Sequence, residues 1–148
     1  MKSTNTISTA DLLKLIKETP NFTAFSDQVP EVFSVCEPSQ YLKQLLAVHG
    51  LSKQSVIQAA NLERSYGYQI FKGRRNPNRD ILLSIAIAMQ LSLPEAQHLL
   101  MVFERGALYP KNKRDAAIIY SLYRRFSLFE TEYLLDQVNE PTISLGKK

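Results

Sequence analysis

The stretch from Asn61 to Pro77, NLERSYGYQIFKGRRNP, concentrates side chains that can bind anions. No acid follows Glu63 before the stretch ends, and four cations do. These cations are Arg64, Lys72, Arg74 and Arg75. Guanidinium and ammonium groups neutralise repeated negative charges, and guanidinium groups also donate paired hydrogen bonds to phosphates. The stretch therefore predicts a surface that binds a polyanion rather than a catalytic centre.

The positive charge of the chain is concentrated in its middle. Residues 41–80 contain seven cations and two acids, a net charge of +5, whereas the whole chain carries +4. A basic stripe on a nearly neutral body is typical of nucleic-acid-binding proteins. An ordinary solvated face would give the same distribution, so charge alone leaves both interpretations open.

Composition limits the class of protein. The chain has 148 residues, 45% of them hydrophobic, which is enough for one domain with small appendages. No run approaches the roughly 18 apolar residues of a membrane span, and the N-terminal MKSTNTISTAD lacks the apolar core of a secretory signal. The single cysteine, Cys36, cannot form an internal disulfide. We therefore expect a cytoplasmic protein with no membrane partner.

No arrangement of residues predicts catalysis or a cofactor. His49 and His98 are far apart in the sequence and there is no second cysteine, so we expect no metal site. The five glycines are scattered and form no phosphate-binding loop. Most Ser, Asp and Glu residues fall at expected helix starts. We expect neither an enzyme nor a cofactor-binding protein.

A hydrophobic period of about 3.6 residues runs through nearly the whole chain and predicts an all-α fold. Between Phe22 and Cys36 the period is interrupted by Pro30, which predicts two short helical pieces, with Cys36 as a small buried hydrophobe. Helices are expected to begin at Ser8, Ser52, Asn78, Ser92 and Ser127. They are expected to end at Pro20, Gly50, Gly73, Gly106 and Pro141.

Two short helices joined by a tight turn lie inside the basic stripe. The first is predicted over 52–60 and the second over about 63–72, with Asn61 in the turn between them. Asparagine tolerates the left-handed backbone conformation that such a turn requires. This order of elements predicts a helix-turn-helix motif.

Residues 51–77, LSKQSVIQAANLERSYGYQIFKGRRNP, resemble the Xre family of phage-repressor-like DNA-binding domains. The family pattern is L-S-Q-x-x-L-A-x-x-x-G-[VI]-S-x-x-x-[IV]-x-x-[IW]-E-x-G-x-R-x-P, and the resemblance covers about residues 41–100. The matching positions are Leu51, Ser52, Val56, Leu62, Ile70, Gly73, Arg75 and Pro77. The departures are Lys53, Asn61, Glu63, Gly67 and Phe71. A glycine inside a helix costs about 1 kcal/mol relative to alanine, so we expect close helix packing or the adjacent tyrosines to offset Gly67.

The resemblance implies a lambda-repressor-like five-helix domain over 41–104, with an N-terminal helical extension over 1–40 and a C-terminal helical pair over 105–148. In the family, the second motif helix enters the major groove and its side chains contact base edges. Carried over by position, the base-reading residues are Arg64, Ser65, Tyr68 and Gln69. The phosphate contacts are Lys53, Gln54, Lys72, Arg74, Arg75 and Arg79. For Arg75, a structural bond to loop carbonyls is the alternative.

We therefore expect a sequence-specific, double-stranded DNA-binding transcription regulator that acts as a homodimer on inverted half-sites. The face formed by Tyr109, Tyr120, Tyr123, Phe126 and Phe129 is a candidate for the dimer contact, although the same residues would also serve to complete the core. The alternative is a protein-interaction module, antitoxin-like or adaptor-like, that kept the same fold and binds a protein partner.

Overall fold

The computed structural model describes residues 8–28 and 37–144, and every regular element in these ranges is a helix. The predicted all-α class is confirmed. The helices are α1 (Thr9–Glu18), α2 (Phe22–Gln28), α3 (Pro38–His49), α4 (Lys53–Ala59), α5 (Arg64–Phe71), α6 (Arg79–Met89), α7 (Leu93–Val102), α8 (Lys113–Arg124) and α9 (Leu128–Gln137). Within the same ranges, no helix is long and apolar enough to cross a membrane.

The described residues fall into two compact units, one holding α1 and α2 and the other holding α3 to α9. In the first unit, α1 packs on α2 and Phe25 is buried, with its ring centre 5.9 Å from that of Phe22. The first of the two predicted helical pieces is α2. The second piece and Cys36 lie outside the described residues.

The core of the second unit is built around α6. Residues 81–87 of this helix are all buried, because α4, α7 and α9 pack against it from different sides. A helix that is apolar on every side is stable in water only when other helices bury its whole surface. The C-terminal helices α8 and α9 pack on each other as well as on α7 and α6, so they share one unit with α3 to α7.

The predicted helix starts are confirmed by hydrogen bonds from the first turn to the capping side chain. Ser52 accepts from the N–H of Ser55, and Asn78 from the N–H of Ile81. Complete capping boxes open α7 at Ser92 and α9 at Ser127. Each cap satisfies N–H groups that have no partner within the helix.

Three predicted chain reversals are also confirmed. Gly50 and Gly73 have φ angles of 63° and 82°, and Asn61 has φ of 58°. At Gly73 a further constraint operates, because an added Cβ would lie 3.0 Å from Ser39 Oγ. Glycine is therefore favoured there both for its left-handed backbone and for its lack of a side chain.

The predicted ends of two helices, at Gly106 and at Pro141, are wrong. The helix α7 ends at Val102 and α9 ends at Gln137. Non-glycine residues, Glu104 and Asn139, turn the chain with φ angles of 58° and 62°. The following N–H groups close the ends, for example Arg105 N–H to Leu100 O at 2.8 Å. Backbone hydrogen bonds of this kind stop a helix without a glycine signal in the sequence.

Candidate nucleic-acid interface

A four-residue connection, Ala60–Glu63, joins α4 to α5 and fixes the direction in which α5 leaves. Asn61 makes the left-handed turn and remains exposed, whereas Leu62 is buried and its N–H donates to Ile57 O at 3.1 Å. The buried leucine anchors the turn to the core, so the start of α5 is held by both backbone and side-chain contacts.

The helices α4 and α5 approach each other closely at Gly67. A Cβ atom added there would lie 2.7 Å from both Cγ1 and Cγ2 of Ile57, which is itself buried. No real Cβ atom tolerates such a distance, so the glycine is what allows the α5 backbone to rest on Ile57. The close helix packing expected at this position is confirmed.

The outward face of α5 carries the predicted base-reading residues. Arg64 and Ser65 are exposed, and Tyr68 and Gln69 are half-buried, so none lies in the folded interior. All four line one shallow depression, together with the predicted phosphate contacts Lys72 and Arg74. The structure thus brings six of the ten predicted site residues to one open surface.

Glu63 is the one acid on the rim of this depression. Its Oε1 accepts a hydrogen bond of 2.8 Å from the N–H of Tyr66 and so caps α5. The carboxylate is therefore directed at the positive end of the helix dipole, where a negative charge is stabilising.

Arg64 and Tyr68 lie one helical turn apart and their side chains meet. The guanidinium carbon of Arg64 is 6.0 Å from the centre of the Tyr68 ring. A cation at this distance is attracted to the face of the ring, which limits the number of conformations the exposed arginine adopts. The contact follows from the spacing of the two residues in a helix.

A second contact on this surface was not expected from the sequence. Arg75 Nε donates a hydrogen bond of 2.7 Å to Gln69 Oε1, and the Arg75 guanidinium carbon lies 5.7 Å from the centre of the Tyr66 ring. Arg75 stands in the loop after α5, so no helical period connects it with Gln69. The loop folds back along the helix because Gly73 reverses the chain between them.

Three predicted phosphate contacts, Lys53, Gln54 and Lys72, lie at helix ends. Gln54 is exposed and Lys53 is half-buried, and both follow the Ser52 cap at the start of α4. Lys72 is exposed at the C-terminal cap of α5.

Arg79 is placed differently from the other predicted phosphate contacts. Its guanidinium donates to Gly106 O at 2.9 Å, to Ala107 O at 3.0 Å, and to both carboxylate oxygens of Asp115 at 3.1 and 3.0 Å. The Asp115 side chain is only 9% exposed. Arg79 therefore holds α6 to α8 and to the segment before α8, a role that a count of charges along the chain does not reveal.

The described part of the chain contains no group of three or more His, Cys, Asp or Glu side chains placed to hold a metal ion. What the α5 surface offers chemically is a set of hydrogen-bond donors and positive charges on a short, firmly anchored helix. Comparison of the chain with models of protein families, with curated proteins and with solved structures finds no match.

Proposed function

We propose that this chain binds duplex DNA with sequence specificity and regulates transcription, with α5 in the major groove. The observation that carries the proposal is the single depression lined by Arg64, Ser65, Tyr68, Gln69, Lys72 and Arg74. The major groove is wide enough to admit an α-helix, and its base edges present acceptors that these donors match.

The pair Ile57 and Gly67 also supports a helix-turn-helix domain of the Xre type. The family pattern has a small Ala where this chain has Ile57, and a branched Ile or Val where it has Gly67. Compared with the family pattern, this chain has the larger residue at the first position and the smaller residue at the second. The two positions touch each other, since the Gly67 backbone rests on the Ile57 side chain. The large residue at one position and the small residue at the other compensate each other, which preserves the close approach of α4 and α5.

In this proposal the side chains have separate roles. Arg64, Ser65, Tyr68 and Gln69 contact base edges, whereas Lys53, Gln54, Lys72, Arg74 and the terminal nitrogens of Arg75 contact phosphates. Arg79 is assigned a structural role, because four of its donor bonds are made inside the fold.

The proposed DNA-binding unit is a homodimer joined through an aromatic surface on α8 and α9, which we define by Tyr120, Phe126, Phe129 and Tyr133. Phe129 and Tyr133 are 79% and 61% exposed, which is high for large apolar side chains. These helices pack on α6 and α7, whereas α5 packs on α3 and α4. A second copy bound to this surface would leave α5 open, and two copies would read two half-sites.

The test measures binding of the full chain to duplex fragments from the region around its own gene at several salt concentrations. Arg64→Ala is expected to lose sequence preference, since one base contact contributes about 1–3 kcal/mol of discrimination. Lys72→Ala is expected to weaken binding to all sequences alike and to reduce the salt slope by about one. Lys111→Ala removes an exposed lysine of the same type outside the α5 surface and serves as the matched control. Undetectable binding at low salt would refute the proposal.

The aromatic surface also fits the second candidate function, a module that binds a different protein. Light scattering on the full chain separates the two, because the proposed dimer is concentration-dependent and is abolished by Phe129→Ser with Tyr133→Ser. A wild-type chain that remains monomeric and binds no duplex would favour the protein-interaction module.

A further inference from the structure

The contact between Arg75 and Gln69 determines how a glutamine on the α5 surface is presented. Arg75 Nε donates to Gln69 Oε1 at 2.7 Å, and the ring of Tyr66 lies beside the same guanidinium, with 5.7 Å from ring centre to guanidinium carbon. Because arginine has donors and no acceptor, it is the oxygen of the amide that faces it. The contact therefore fixes which end of the Gln69 amide points away from Arg75.

We infer that Arg75 is a positioning residue that turns Gln69 into a hydrogen-bond donor selecting guanine over adenine. The inference rests on the proposed function and specifies its base preference. A glutamine with both ends free recognises adenine, since its oxygen accepts from N6 while its nitrogen donates to N7. In this chain the oxygen is directed toward Arg75, which occupies one of its two lone pairs, so the group that points away from Arg75 is the Nε2 amide with two N–H donors.

The two purines respond differently to such a donor. Guanine presents two acceptors in the major groove, O6 and N7, whereas adenine presents one acceptor beside an N6 donor. A group that only donates therefore matches guanine and meets the N6 amino group of adenine donor to donor.

The neighbouring arginine provides a matched control. Arg74 is exposed, lies in the same loop and carries the same charge, and it lines the same depression as Gln69. The bond from Arg74 to Gln69 joins backbone atoms, N–H to O at 2.9 Å, and so survives Arg74→Ala, whereas the side-chain amide of Gln69 is bonded by Arg75. Replacing either arginine by alanine removes one positive charge from the loop, but only Arg75→Ala releases the amide.

The experiment selects bound sequences from a duplex DNA library with a randomised core, using the full chain as wild type, Arg75→Ala, Arg74→Ala, Gln69→Ala and the double variant Arg75→Ala with Gln69→Ala. Gln69→Ala identifies the motif position read by Gln69, where the wild type is expected to select guanine. In Arg75→Ala, adenine at that one position is expected to gain at least about fivefold, the smallest discrimination expected of a bidentate base contact. The double variant should lose this gain, and thermal unfolding of each variant establishes that it is folded.

Three results have distinct meanings. A motif unchanged in Arg75→Ala, with the same uniform loss of affinity as in Arg74→Ala, would show that Arg75 contacts phosphate only and would overturn the inference. Wild-type selection of adenine at the Gln69 position would overturn it as well. If the wild type enriches no motif at all, the proposed DNA-binding function itself fails, which is a recognisably different outcome.

Discussion

Two groups of arginines in this chain have opposite environments. Arg64 and Arg74 are exposed on the α5 surface. Arg79, Arg105 and Arg114 instead hold loops and helices together. Arg105 donates twice to Pro77 O, and Arg114 donates to Asp80 Oδ1 and to Pro141 O. The same side chain therefore serves either as a ligand-binding group or as a tie within the fold, and the difference lies in which acceptors the fold places nearby.

Among these arginines, the largest expected effect of a substitution is the fall in the free energy of unfolding caused by Arg79→Ala. Replacing Arg79 with alanine leaves the buried Asp115 carboxylate without its charged partner, although the Tyr109 N–H still donates to it, and frees the carbonyls of Gly106 and Ala107. Losing one member of a buried charge pair costs about 3 kcal/mol. Urea unfolding measures this change. A loss of less than about 0.5 kcal/mol, the level of an ordinary surface substitution, would contradict the structural role assigned to Arg79.

The next effect is expected at the contact that sets the position of α5. Gly67→Ala forces a Cβ to within 2.7 Å of Ile57 Cγ1, so the free energy of unfolding should fall by about 2 kcal/mol, as in an overpacked core. Combining it with Ile57→Ala restores room, and the two effects should not add. Urea unfolding of the single and double variants measures the coupling. Additive losses would contradict the assigned contact.

A smaller effect is expected at a second polar tie, between α3 and α7. His49 Nε2 lies 2.9 Å from Glu95 Oε2. Burial raises the pKa of Glu95, but the hydrogen bonds from the Ser92 N–H and from His49 outweigh it, so the pKa is lowered. A lowered pKa stabilises the fold above the ordinary glutamate value of about 4.3 and the benefit is lost as the pH falls below it.

The test of this tie compares wild type with Glu95→Gln in urea at pH 7 and at pH 3. Glutamine keeps an oxygen for the Ser92 N–H, so the variant removes the charge and leaves the capping box. The wild type should be more stable by up to about 1 kcal/mol at pH 7, the contribution of a carboxylate near a helix N-terminus, and by less at pH 3, where more of the carboxyl is protonated. A difference that does not depend on pH would mean that the charge of Glu95 contributes nothing.

The smallest effect is expected at Arg74. Because its guanidinium is exposed, Arg74→Ala should change the free energy of unfolding by less than about 0.5 kcal/mol. The same variant should weaken DNA binding at low salt, since a loop cation contributes to phosphate affinity. Measured together, unfolding and DNA binding separate Arg74 from Arg79, because replacing Arg79 should mainly lower the free energy of unfolding.

Local rules in the sequence predicted much of the fold and part of the site. The caps at Ser52, Asn78, Ser92 and Ser127 and the reversals at Gly50, Asn61 and Gly73 depend on a few adjacent residues. The ends at Gly106 and Pro141 were misplaced because Glu104 and Asn139 adopt left-handed backbones that residue type does not announce. The outward position of Arg64, Ser65, Tyr68 and Gln69 was implied by the resemblance to the Xre family, whose pattern lies within the same short stretch.

The residues alone predicted an all-helical chain whose central segment presents cations from one short helix and from the loop that follows it. Three contacts became visible only in the folded chain. Arg79 pairs with Asp115, Arg75 donates a hydrogen bond to Gln69, and the Gly67 backbone packs against Ile57. The physical reason is distance along the chain. Caps and helical faces are fixed by neighbours within about one turn, whereas each of these three pairs meets only after a turn or a whole helix has folded back.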